Sequence, residues 1–255
     1  MKQIRGFAVA LTAAFLAAGA SAHAGIVDHA LYATLLSRHL HKGSVDYSGF
    51  QRDEAVLDRY LDQLARVDSQ SLPPDEQFAF YANAYNAWTI KLILSRYPDI
   101  DSIKELGSLF KSPWKRKLAR VDGQLLTLDQ IEHDILRKRF GDPRVHFAVN
   151  CASKGCPPLQ AEPFTGSRLD EQLNRAARAF VNDSDFNRLE GHTLWVSKIF
   201  DWFSEDFEDD VIGFFILFAE PPLKDRLKKN RDRIRVKYLD YDWSLNEGAT
   251  VPGHP

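Results

Sequence analysis

Both cysteines of the chain fall in one loop. The stretch runs Asp142-Pro-Arg-Val-His-Phe-Ala-Val-Asn-Cys-Ala-Ser-Lys-Gly-Cys-Pro-Pro158, and it sets Arg144, His146, Asn150, Ser153 and Lys154 beside Cys151 and Cys156. Cysteine chemistry requires a thiolate, usually made by a histidine within hydrogen-bond reach that a third polar group orients. One reading is therefore a thiol-dependent hydrolase or acyl transferase. Cys151 or Cys156 is its nucleophile, His146 or His133 its base, and Glu132 or an asparagine its orienting group. Spacing works against that reading. If residues 146 to 151 are extended, about 3.3 Å per residue holds His146 roughly 16 Å from Cys151. A sharp turn after Asn150 is then required.

A second reading centres on His146 and Arg144, with the cysteines bridged. The apolar run from Val145 to Val149 predicts a short strand. On a strand, residues two apart share a side, so His146 and Arg144 together face Glu132 and the central-helix asparagine Asn86. The plain alternative for Arg144 is an ion pair with Glu132 that ties helix to strand. For His146 it is a hydrogen-bonded core histidine. Asn83, Asn150, Ser153 and His133 complete the candidate binding residues, and the expected ligand is a small molecule or peptide.

A zinc site built from His133, His146, Cys151 and Cys156 has suitable ligand types. However, Cys-x4-Cys without closely spaced histidines is a weak pattern, and neither metal nor cofactor is expected. A non-catalytic binding domain also fits the sequence. In it, Trp195, Trp202 and Phe203 form either a ligand- or glycan-contacting patch or part of the core.

The compartment bears on the cysteines. Lys2 and Arg5, the apolar run from Phe7 to Ala20, and Ala22-His23-Ala24 predict a secretory signal peptide cut before Gly25. That places the mature chain in the periplasm or outside the cell. The run is shorter than the roughly 20 residues a spanning helix needs, so no stable membrane span is expected after cleavage. In an oxidising compartment the two cysteines predict a Cys151–Cys156 disulfide. So short a loop gains little from chain entropy, and the bridge would mainly shape the loop.

Cleavage leaves 231 of the 255 residues, enough for one domain over 25–247 with a loose tail over 248–255. It also removes two basic residues and no acidic one, taking the formal charge from −2 to −4. Mixed charge of that size gives no electrostatic footprint for nucleic acid.

The positioning elements are set by periodicity. Residues 27–40 and 53–67 carry apolar stripes at helical spacing. Ser71-Leu-Pro-Pro-Asp-Glu-Gln77 starts a helix over about 76–96 that is apolar nearly all round, as a central helix is. Asn83 and Asn86 lie inside it, and a buried amide needs a partner: either each ties down a neighbouring loop or both line a site. Asp122-Gly123 marks a two-residue hairpin turn within 117–126, and Thr127-Leu-Asp-Gln130 is a capping box for a helix to about Arg139. Glu132 and His133 share that helix, where neighbours do not face each other. Ser167 is expected to cap the next helix. After it come a strand over 193–200 and an acidic, aromatic connector over 201–207. The chain then runs through an apolar core segment over 211–218, a basic surface helix after Pro221-Pro222, and an alternating strand over 234–238. The fold class is α+β: a single domain of several helices around a small, discontinuous sheet.

Five motifs occur in order: Phe80-Tyr-Ala-Asn-Ala-Tyr-Asn-Ala-Trp88, Ile131-Glu-His133, Asp142-Pro-Arg-Val-His-Phe-Ala148, Asn150-Cys-Ala-Ser-Lys-Gly-Cys-Pro157 and Tyr241-Asp-Trp-Ser-Leu-Asn246. Together they resemble the family catalogued as domain of unknown function 547, which occurs in bacterial exported proteins and at the C-terminal end of longer plant proteins. The resemblance runs from about residue 72 to 200 and more weakly to 246. It implies no activity and supplies no catalytic residue. The order of a central helix, then a histidine-bearing strand, then another strand also loosely resembles papain-like and transglutaminase-like folds. Those folds place the cysteine at the start of the central helix, where this chain has none.

Overall fold

The computed structural model describes residues 25–108 and 111–248. The leader read over 1–24 lies outside the described residues, as does all of the tail beyond Gly248. The centre of the structure is the helix Pro74–Leu94. Pro74 occupies its first turn with Asp75 and Glu76, where a missing N–H costs nothing and negative charge suits the helix dipole. From Glu76 to Leu94 every residue except Trp88 and Lys91 is buried. Helices Ala30–His39, Tyr47–Arg52 and Glu54–Leu64 pack round it on one side. The helix Tyr47–Arg52 starts where the Asp46 carboxylate accepts from the Gly49 N–H at 2.8 Å.

The hairpin forms as its turn residues require. Ala119–Val121 pairs antiparallel with Gln124–Leu126, and Asp122 and Gly123 hold φ at 56° and 68° between them. The capping box is reciprocal. The Thr127 N–H donates to Gln130 Oε1 and the Gln130 N–H to Thr127 Oγ1, both at 3.0 Å. The helix that this box caps is not an ordinary α-helix. Gln130–Arg137 is wound as a π-helix that tightens into Lys138–Phe140 and ends on Gly141 at φ 62°.

The strand expected over 145–149 is absent. Pro143–Phe147 is a 3-10 helix capped by Asp142, whose carboxylate accepts from the Arg144 N–H at 2.9 Å. Asp-Pro here starts a helix rather than a turn into a strand, and a five-residue apolar run carries no periodicity to oppose it. Ser167 does not cap the next helix. A 3-10 turn over Gly166–Arg168 leads directly into Leu169–Val181, and the entry is pinned by the Gly166 N–H on Glu76 Oε2 at 2.6 Å.

A second cluster of buried side chains, centred on Phe147, Phe180, Phe200 and Phe215, joins the helices Leu169–Val181 and Val211–Phe218 to a three-stranded sheet. In that sheet Thr193–Val196 pairs antiparallel with Arg188–Glu190 and parallel with Arg235–Tyr238. The strand expected to reach Phe200 stops at Val196, and Ile199–Trp202 turns helical. Helices and three small separate sheets make the fold α+β. Among the described residues, no helix is long and apolar enough to cross a membrane.

Candidate active-site cleft

The cysteine loop is held from two directions. Asn86 of the central helix accepts from the Asn150 N–H at 2.8 Å and donates to the Ala148 carbonyl at 2.9 Å. Asn150 then braces the loop internally, donating to the Pro157 carbonyl at 2.9 Å and accepting from the Ala152 N–H at 3.0 Å. Ala152 is left at φ 62°, a left-handed conformation uncommon for a residue with a Cβ. From the other side, the Lys154 and Gly155 N–H groups donate to the carbonyls of Ser244 and Asp242. A Cβ on Gly155 would come within 2.9 Å of the Tyr241 ring. The bare backbone lets Tyr241 reach over the loop.

Its hydroxyl ends 3.1 Å from Cys151 Sγ and 3.0 Å from Ser153 Oγ, and Ser153 Oγ is itself 3.0 Å from the same sulfur. Cys151 and Cys156 are free thiols. Their sulfurs are not at bonding distance, which corrects the expected disulfide: the loop is shaped by the amides of Asn86 and Asn150 and by the 242–246 segment. A hydrogen bond from Cys156 holds the Cys151 thiol below its ordinary value, against burial, with Ser153 and Tyr241 adding to the effect. Burial pushes Cys156 well up, so it stays protonated and serves as donor.

Cys151 opens on a cleft of about 230 Å³. The π-helix forms one wall through Asp129, Glu132 and His133, and His146 stands at the base. The opposite rim is aromatic: Trp202 stacks on Trp243 at 5.6 Å between ring centres, with Tyr241 4.5 Å from Trp243. Glu132 and His133 both line the cleft, although adjacent residues of a regular helix diverge. A π-turn is a local widening often found at functional sites.

His146 is buried and stacked on Phe203 at 4.2 Å. Its Nε2 lies 2.6 Å from Asp206 Oδ2. Arg137 grips the same carboxylate through Nε at 2.6 Å and Nη2 at 2.9 Å, and reaches His133 Nδ1 with Nη1 at 3.1 Å. Burial alone would raise the Asp206 carboxyl, but hydrogen bonds from His146 and Arg137 outweigh it and hold the group well below the usual range. An ionised Asp206 can only accept, so His146 Nε2 carries a hydrogen toward it, and Nδ1 is the nitrogen that is left free whenever the ring is neutral.

Several sequence-predicted site residues lie elsewhere. Arg144 turns away from Glu132 and binds Asp142 and Asp170 at 2.6 Å each and Asn174 at 2.8 Å. The shared strand face that paired it with His146 does not exist. Glu132 sits beside the Tyr85 phenol, which burial and that nearby charge keep protonated. Asn83 is spent on Phe164, donating to its carbonyl at 2.8 Å and accepting from its N–H at 2.9 Å. Neither Asn83 nor Asn86 lines the cleft. Among the described residues, no group of three or more His, Cys, Asp or Glu side chains is arranged to hold a metal ion.

Sequence reasoning missed Asp206 and Arg137, and it treated Tyr241 only as part of a motif. For Asp206 the sole sequence signal is the acidic, aromatic connector that contains it.

Residues 69–181 match the model of a family described as protein of unknown function, DUF547. No curated protein and no solved structure matches the chain. The matched segment contains Cys151, Cys156, His146 and the π-helix, whereas Asp206, Trp202, Tyr241 and Trp243 lie C-terminal to it.

Proposed function

From the cleft itself we propose a thiol-dependent acyl hydrolase or acyl transferase; the DUF547 family that residues 69–181 match is described without an activity. Cys151 is the nucleophile, His146 the proton carrier and Asp206 the group that orients it. One observation carries the reading: a thiol held below its ordinary value and a histidine fixed by a half-buried carboxylate line the same small cleft. Nucleophilic sulfur catalysis uses these two groups together; here Cys151 Sγ bonds Ser153 and Tyr241 rather than His146, so the proton passes between them through a bridging water or the substrate.

In the proposed first step the Cys151 sulfur attacks the acyl carbon of an ester or amide. The hydroxyls of Ser153 and Tyr241, each within hydrogen-bond distance of that sulfur, are placed to answer charge developing on the carbonyl oxygen. The Cys151 thiol gives its proton to His146 Nδ1 as it attacks, and as the bond to the leaving group breaks that proton passes on to the leaving group. A second nucleophile then gives its proton to the same nitrogen and releases the thiolate from the thioester. The cleft volume suits a single side-chain-sized group, so a small molecule or one residue of a peptide fits the acyl site.

The test is acylation with p-nitrophenyl acetate followed by mass spectrometry of the intact chain. A single acetyl group on Cys151, absent in C151A, supports the reading. Release of p-nitrophenol by C151A at the rate of the parent would overturn it. Export is proposed alongside on the strength of residues 1–24, and N-terminal sequencing of secreted material should start at Gly25.

A further inference from the structure

We infer that the cleft takes a primary-amine cation as its second substrate, held between the aromatic rim of Trp202 and Trp243 and the carboxylates of Glu132 and Asp129, so that the thioester is resolved by aminolysis. This rests on the acyl-transfer reading above and names the acceptor that reading leaves open.

The two walls of the cleft differ in kind and agree in sign. Trp202, Trp243 and Tyr241 line the cleft as one cluster packed ring against ring, and such rings attract a cation through their quadrupoles. Lys104 already shows the effect, with its Nζ 3.8 Å from the centre of the Trp243 ring. Across the cleft stand two carboxylates that no Lys or Arg among the described residues neutralises. Asp129 has only His133, at 3.8 Å, and Glu132 has the neutral Tyr85 phenol. The guanidinium of Arg137, on the same helix, is taken up by Asp206 and Glu205. A neutral sugar would leave this negative charge unanswered, and an anion would be repelled by it. An alkylammonium satisfies the ring faces and the carboxylates together.

The chemistry balances without a further reagent. The bound ammonium gives one proton to solvent. The neutral nitrogen attacks the thioester carbon and passes its second proton to His146 Nδ1. The C–S bond then breaks, leaving an amide and the Cys151 thiolate. Water does the same chemistry only when the amine site is empty.

The experiment uses the full chain under reducing conditions, with pentylamine hydrochloride as the cation and pentanol as its neutral counterpart. Binding is read first, on C151A, from quenching of tryptophan fluorescence. Saturable quenching by pentylamine should be roughly tenfold tighter than by pentanol, and E132Q and W202A should each weaken it by roughly tenfold, the scale of one desolvated cation–π or charge contact. Trp202 is 44 % exposed and E132Q is isosteric, so neither change threatens the fold. Equal binding of pentanol, preference for a methyl glucoside, or an unaltered E132Q would overturn the amine site.

Turnover is read second, with p-nitrophenyl acetate as donor. N-pentylacetamide should replace acetate as the product at saturating amine, and acetate alone would refute aminolysis. Failure to acylate Cys151 at all would refute the thiol-enzyme reading instead, and the C151A binding arm would still decide the amine site.

Discussion

His146 Nε2 and Asp206 Oδ2 lie 2.6 Å apart across 60 residues of sequence, and the same carboxylate is gripped by Arg137 of the π-helix. One acid therefore fixes the tautomer of His146, neutralises Arg137 and, through Arg137, orients His133. D206N keeps the shape but replaces the acceptor with an amide that can turn its N–H₂ toward the imidazole. The ring then loses its enforced tautomer. Turnover of p-nitrophenyl acetate should fall on the order of 10²- to 10⁴-fold, while alkylation of the Cys151 thiolate at high pH stays close to that of the parent. A D206N enzyme that turns over normally would remove His146 from the mechanism.

The thiol itself gives a pH signature. Hydrogen bonds from Cys156, and then from Ser153 and Tyr241, favour the Cys151 thiolate more than burial disfavours it. The reactive form therefore persists as pH falls below the usual thiol range of about 8.5 and disappears only when pH passes through the lowered value. Iodoacetamide alkylation rates should show that lowered midpoint, and S153A and Y241F should each move it upward. Native protein should label once, at Cys151, and denatured protein twice, because burial keeps Cys156 protonated in the fold. Two labels on the native chain, or none, contradict this arrangement.

The features legible from sequence are those whose cause is local. Asp122-Gly123 dictates its hairpin, Thr127 and Gln130 their reciprocal cap, and the all-round apolar pattern its central helix. The site was legible as an address rather than a geometry: Cys151, His146, Glu132 and His133 do share a cleft. The error over Arg144 came from reading a five-residue apolar run as a strand, because period 2 was then imposed on a 3-10 turn. Asp206 and Tyr241 were marked in the sequence only by a connector and a motif, without a role. Asp206 meets His146 through tertiary packing of the second core, and Tyr241 reaches the thiol through the close approach that Gly155 permits. Their local sequence does not encode those contacts.

His29 gives stability a pH dependence far from the cleft. Its ring nitrogens meet the Tyr60 hydroxyl at 2.7 Å and Asn83 Nδ2 at 3.2 Å. Burial lowers its pKa from 6.5 to about 4, against the charges of Glu76 and Asp28. A base with a depressed folded value binds its proton more readily when unfolded. Its contribution is therefore complete above pH 6.5 and is lost as pH falls toward 4. The loss should amount to about 3 kcal/mol. Urea unfolding of wild type and H29Q at a series of pH values isolates it, because the depressed carboxylates act in both proteins. Parallel curves would show that His29 does not titrate with folding.

Asn86 and Asn83 sit one helical turn apart on the same buried helix, and each clamps the backbone of one loop with two hydrogen bonds. Removing either amide leaves a buried carbonyl and a buried N–H without partners. N86A and N83A should therefore each cost roughly 2–4 kcal/mol, measured by urea denaturation. Their effects on the thiol should differ. Asn86 holds Ala148 and Asn150, the residues that set the turn before Cys151, so N86A should raise the pH midpoint of iodoacetamide labelling as the sulfur drifts from Ser153 and Tyr241. Asn83 holds Phe164, beyond the cysteine loop, and N83A should leave that midpoint where it is despite a similar loss of stability. If both variants shift the midpoint equally, the thiol responds to global loosening of the fold and Asn86 has no special hold on it.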